Sequence, residues 1–141
     1  MTRIDFYLTS GSGRADKDQV VCRLSNKAFR QGHQVYILTA SPEESAQLDR
    51  LLWTFSASSF IPHGLNTADL ETKLPVIIGH DEPPENCHDV LISLTVAIPS
   101  CVSRFERVAD IVSPTKEAKE QARERFRFYR ERGYPLQTHD L

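Results

Sequence analysis

The chain is short of the residues that staple or anchor a protein. Only three of its 141 residues are cysteine. That number is odd and Cys22, Cys87 and Cys101 form no C-x-x-C pair, so neither a disulfide framework nor a zinc site is expected, and a reducing compartment fits. No apolar run approaches the ~20 residues needed to cross a bilayer. The opening MTRIDFYLTS has no basic region followed by an apolar one, so no secretory signal is visible. The expectation is a soluble cytoplasmic protein without membrane contact. Net charge is also scarce, at a formal -2, which removes the case for a domain that binds a polyanion over its whole surface.

What is there is ordinary for a globular protein: 40% hydrophobic and 26% charged residues, enough for one domain over residues 1–141. A chain of this length buries roughly two thirds of the surface its unfolded form exposes and folds without a structural metal. No repeat, low-complexity segment or linker interrupts it.

Ile4 to Leu8 is rich in β-branched and aromatic residues and ends at Thr9-Ser10-Gly11-Ser12-Gly13, so it reads as a strand followed by a turn. From Asp16 to Arg30 the apolar Val20, Val21, Leu24 and Ala28 recur at helical spacing, with Gly32 placed to end the helix. Val35 to Leu38 reads as a buried strand. Ser41-Pro42-Glu43-Glu44 then forms a capping box that starts a helix running to about Trp53. Ser56 to Leu74 reads as an irregular surface connection, with Phe60 and Ile61 as a short strand. Val76 to Ile78 and Val90 to Leu94 are further strands, Pro99 to Arg107 a short helix, and Val108 to Val112 the last strand. This alternation predicts a three-layer α/β/α, Rossmann-like fold with a mostly parallel sheet.

The final helix, from Thr115 or Lys116 to about Arg132, carries the clearest pattern. Residues 116–132 hold seven basic and four acidic side chains, a net of +3, which leaves -5 for the rest of the chain. At 100° per residue, Lys116, Lys119, Arg123, Arg127 and Arg130 fall within about 80° of one another as one basic stripe. Ala118, Ala122 and Tyr129 form the neighbouring face, expected to pack on the sheet, with Phe126 at the border. A ring there, beside Arg123 and Arg127, suits a peptide that ends in an aromatic residue and a free carboxylate. The plainer reading is a solvated face with Lys or Arg paired to Glu at i,i+4.

Other constellations carry less. Gly11-Ser12-Gly13 lies where a dinucleotide fold keeps its phosphate loop, and a nucleotide-binding enzyme using Gly11 and Gly13 is the competing functional reading. Asp16 replaces the third glycine of that fingerprint and brings a negative charge where a pyrophosphate would sit. No Walker A lysine pattern is present. Cys87-His88-Asp89 supplies residue types for a thiol nucleophile or a metal, but neighbouring residues of a strand point to opposite faces, so a strand entry is expected rather than a site. His33, His63 and His139 show no metal-ligand spacing, and no catalytic residue, metal or cofactor is assigned. Trp53, Phe60, Ile61, Pro62 and His63 concentrate apolar groups that are core if packed and an interface if exposed.

Four segments together, R-I-D-F-Y-L, L-D-R-L-L-W-T-F-S-A-S-S-F-I-P-H, D-V-L-I-S-L and A-R-E-R-F-R-F-Y-R-E-R-G-Y, resemble the chi subunit family of DNA polymerase III across nearly the whole chain. The stretch from Trp53 to His63 and the helix from Ala122 are the most specific. The resemblance implies a non-catalytic accessory protein of the clamp loader. Its expected partners are the psi subunit, in a heterodimer, and the acidic C-terminal tail of single-stranded DNA-binding protein, which ends in Pro-Phe; DNA is contacted only indirectly. Carried over by position, Lys119, Arg123, Phe126 and Arg127 match the family's tail-binding residues, while Trp53, Phe60, Pro62 and His63 match its psi surface. Phe126 stands where better-known members have tyrosine, Arg127 where they have lysine, and Ser113 where they are apolar.

Overall fold

The computed structural model describes residues 2–55, 61–67 and 74–141. Among them seven strands form one sheet: β1 (Arg3–Leu8), β2 (Val35–Leu38), β3 (His63–Leu65), β4 (Val76–Gly79), β5 (Val90–Ser93), β6 (Arg107–Val112) and β7 (Leu136–Asp140), in the order β3-β4-β2-β5-β6-β1-β7. Every pairing between these strands is parallel. The central strands are continuous apolar runs, VYIL in β2 and VIIG in β4, buried at every position, as a parallel sheet covered on both faces requires.

Helices α1 (Lys17–Arg30) and α2 (Pro42–Thr54) cover one face, where Val20, Val21, Leu48 and Leu52 pack on Val35, Ile37, Val76 and Ile78. Helix α3 (Lys116–Glu131) covers the other, where Ala122 and Tyr129 pack with Ile4, Phe6, Leu91 and Val108. The three-layer α/β/α expectation therefore holds. Local chemistry starts each helix. Asp16 accepts from the Asp18 backbone N–H, Ser41 from Glu44 and Thr115 from Ala118, each satisfying a donor that the first turn leaves unpaired. The Glu44 carboxylate completes the α2 cap by accepting from the Ala40 N–H at 3.0 Å.

Three expectations need correction. Pro99 to Arg107 is not a helix: only a 3-10 turn at Val102–Arg104 forms, Phe105 is extended, and Arg107 already belongs to β6. Buried Cys101, Val102 and Phe105 are apolar because this connection caps the core, not because it is helical. The short strand lies at His63–Leu65 rather than at Ile61, which is buried without pairing; Phe60 lies outside the described residues. Nor is β6 the last strand. The chain returns as β7, whose LQTHD is mostly exposed and polar, so its strand state comes from pairing with β1 and not from a buried apolar pattern.

The β6-α3-β7 connection places the candidate site. β6 and β7 flank β1 on its two sides, so the helix joining them must cross over β1. On the opposite face of the same strands the polar row is closed: the His139 Nε2 lies 3.1 Å from the buried Asp5 carboxylate, Arg107 and Arg3 approach the same group at 3.4 and 3.6 Å, and the His139 ring stacks on Tyr7 at 4.5 Å. These contacts hold the edge strand β7 against β1.

Candidate peptide-binding pocket

A cavity of about 180 Å³ opens between α3 and the β1-β7 pair. Strand alternation sends Phe6 and Leu8 of β1, and Thr138 of β7, toward the helix, where they meet Ala122 and Phe126. The Phe126 ring is half-buried and tilted against Phe6, with centroids 5.5 Å apart, so one face of the ring is seated in the core and the other forms the pocket wall. Lys119 and Arg123, one turn apart on the exposed side of α3, complete the lining. No carboxylate lines this cavity, and neither cation takes part in an ion pair among the described residues. Its makeup, an apolar seat with two unneutralised cations at the rim, suits a group that joins an apolar side chain to a carboxylate.

Three of the four residues expected here are thus brought together: Lys119, Arg123 and Phe126. Arg127 is not. It is exposed and pairs with Glu124 on its own helix at 3.2 Å, outside the cavity lining. Ser113 is half-buried and likewise outside the lining.

The residue that sequence reasoning passed over is Arg125. Counted there as one of seven cations, it is buried at 6% exposure, and its guanidinium grips Asp110 of β6 with two hydrogen bonds, Nε to Oδ2 at 2.8 Å and Nη2 to Oδ1 at 2.9 Å. Nη1 donates to the Val96 carbonyl at 3.0 Å. Burial pushes the Asp110 carboxyl above its ordinary value, and the guanidinium opposes that shift. Burial likewise drives the neighbouring Tyr129 hydroxyl far above its usual range. The signal was present. Arg125 lies on the helix face of Ala118 and Tyr129, and Asp110 sits inside the apolar run VADIV; two buried opposite charges need each other.

The aromatic group near α2 divides. Trp53 is 57% exposed, edge-on to the His63 ring at 4.9 Å. The His63 side chain is buried, with Nδ1 2.7 Å from the Ile61 carbonyl and Nε2 3.0 Å from that of Asp49, so it supports Trp53 from beneath instead of offering a contact of its own. Pro62 is half-buried beside it. At the N-terminus of α1 the Asp16 carboxylate takes up a backbone donor that a phosphate would need. Cys87 is buried, and Asp89 is spent accepting from the Gln34 N–H at 3.0 Å.

The family described as DNA polymerase III chi subunit, HolC, matches residues 1–137. The chain is similar to the DNA polymerase III subunit chi of Pseudomonas aeruginosa, 47% identical over 141 residues that span 100% of this chain and 98% of the relative. It is similar also to that of Escherichia coli, 32% identical, with 98% and 97% covered. The crystal structure of T4 UvsW superposes with a TM-score of 0.69 over 99% of this chain and 42% of its own, at 10% identity, a likeness of fold alone.

Proposed function

This chain belongs to the DNA polymerase III chi subunit family, a family of DNA replication, and from that premise we propose that it works as a non-catalytic adaptor that joins the psi subunit to the acidic C-terminal tail of single-stranded DNA-binding protein. The observation that carries the tail reading is the pocket at Phe126. The tail's terminal Phe ring enters between Phe6, Leu8 and Phe126, while Arg123 and Lys119 meet the terminal carboxylate and the acidic residues before it. Psi docking is assigned to the exposed Trp53 and the adjoining Pro62, with His63 holding the indole in place. No described helix is long and apolar enough to cross a membrane, and the adaptor acts in the cytoplasm, where replication takes place.

Calorimetric titration of an Asp-rich peptide with a free Pro-Phe terminus tests the first half. Wild type should bind it, more weakly as salt rises, and Arg123→Ala should lose about tenfold or more in affinity, the size expected when a charge-assisted hydrogen bond is removed. A folded wild type that ignores the peptide at low salt ends the tail assignment. For the second half, co-purification with psi should fail for Trp53→Ala while the variant stays folded.

A further inference from the structure

We propose that a second groove, on the opposite flank of α3 from the Phe126 pocket, binds another acidic peptide segment that ends in an apolar or aromatic residue with a free carboxylate. The ligand chemistry is borrowed from the reading above, but the site rests on its own geometry.

The groove has a volume of about 350 Å³ and lies between the last turns of α3 and the connection that precedes β6. Ile98, Pro99 and Val102 supply an aliphatic wall. Phe128 and Tyr134 each stand edge-on to the buried Tyr129, at 5.8 and 5.6 Å, and form the aromatic side. Arg132 lies at the rim with its guanidinium carbon 3.6 Å from the centroid of the Phe128 ring. A guanidinium stacked in this way is held in place by its face, and its N–H donors lie in the plane, free to meet a carboxylate as a two-pronged fork. Arg132 is the only charged residue of the lining, and it takes part in no ion pair among the described residues. Among the described residues the charge of the groove therefore goes unanswered.

Two residues along a helix are 200° apart, so Phe126 and Phe128 project about 160° from each other, to either side of the ridge. Each ring stands beside an arginine, Arg123 for the first and Arg132 for the second, in a lining that holds no carboxylate among the described residues. One helix thus carries the same recognition elements twice. The acidic end of the ligand accounts for Arg132, and the apolar end for the volume between Phe128 and Ile98.

The test is titration of the Asp-rich Pro-Phe peptide into the full chain and into Arg123→Glu, Arg132→Glu, Arg132→Gln and the Arg123→Glu/Arg132→Glu pair, with circular dichroism to confirm folding. Both arginines are exposed, so these changes leave the core intact. Two peptides should bind per wild-type chain and one per Arg123→Glu chain. That remaining event should weaken about tenfold or more with Arg132→Glu added, and Arg132→Gln should fall between. One peptide per wild-type chain, abolished by Arg123→Glu, overturns the second site and leaves the first standing. Binding abolished by Arg132→Glu but untouched by Arg123→Glu does the reverse. A single-stranded oligothymidylate that displaces the second peptide would also overturn the assignment, because the groove would then read bases and phosphates.

Discussion

Asp110 in β6 and Arg125 in α3 meet beneath the helix through two parallel hydrogen bonds of 2.8 and 2.9 Å, both side chains buried. A helix can roll on an apolar sheet at small cost; a planar fork against a carboxylate cannot roll without breaking. With Arg125 pinned, Phe126 is turned about 100° further round, over β1, and Arg123 is left at the rim. The pair therefore decides where the pocket opens, and its net contribution to stability is small because desolvation offsets the attraction.

Removing one partner should be far worse than removing both. Arg125→Met or Asp110→Leu alone should cost about 3–5 kcal/mol in urea denaturation, since each leaves a buried charge without its counterpart. The double variant should recover most of that loss and yet bind the acidic peptide less tightly than wild type, because the roll of α3 is no longer set. Single variants within about 1 kcal/mol of wild type would show that the pair is not the clamp.

Within the expected tail-binding set, Phe126 lines the cavity and Arg127 lies outside it. Phe126→Ala should lose about tenfold or more in peptide affinity, with Phe126→Tyr close to wild type. Arg127→Ala should change it by no more than about threefold, the range of a screened surface charge. Fluorescence anisotropy at moderate salt measures all three, and an Arg127→Ala loss equal to that of Phe126→Ala would mean that Arg127 leaves Glu124 and closes over the ligand.

Alkali should unfold the protein through its core. Burial pushes both the Cys22 thiol and the Tyr36 hydroxyl up to about 12. The unfolded groups titrate near 8.5 and 10. Because the folded values are the higher ones, the stability from the neutral forms is complete below the unfolded values and is lost as pH climbs toward the folded ones. The slope is about 1.4 kcal/mol per pH unit for each group. Unfolding free energy should therefore fall from about pH 8.5 upward, and Cys22→Ala should flatten the first part of that fall. Cys22, Cys87 and Cys101 are all buried and free, so a thiol reagent should find none of the three until the chain unfolds.

Gly79 closes β4 where a side chain has no room. A Cβ there would lie 2.2 Å from the Tyr36 hydroxyl oxygen and 2.9 Å from the Asn66 Cβ. Gly79→Ala should destabilise by about 1–3 kcal/mol. Tyr36→Phe removes the nearest atom but sacrifices its 2.8 Å hydrogen bond to the Asp81 carbonyl. In a double-mutant cycle the two changes should cost less together than their sum, and strict additivity would place the strain elsewhere.

Where a single helix or strand satisfies itself, the chain was readable. The Ser41 capping box, the Asp16 to Arg30 helix, the buried runs of β2 and β4 and the basic stripe of α3 all rest on contacts within a few residues or on a simple period of burial. Where the reading failed, the deciding partner is distant. β7 is a strand only because β1 offers it a row of backbone groups, 132 residues away in sequence at the Ile4–Leu136 pairing. The Pro99 to Arg107 segment is apolar enough for a helix, but it spends its length reaching from β5 to β6 and settles into one tight turn.

The sequence by itself determined that this is a parallel α/β protein of the chi subunit family whose last helix bears cations beside an aromatic ring, because residue type and spacing suffice for propensity, amphipathic period and family signature. Only the tertiary structure decided which of those cations line the Phe126 cavity. Lys119 and Arg123 do so because α3 must cross β1 to join β6 to β7. Arg127 does not, because it turns to Glu124, and Arg125, which the helical period puts on the sheet-facing side with Ala118 and Tyr129, is neutralised beneath the helix by Asp110. The physical reason is that a charge on a helix has no meaning for binding until the fold has settled whether it is neutralised from within, and by a residue how far along the chain.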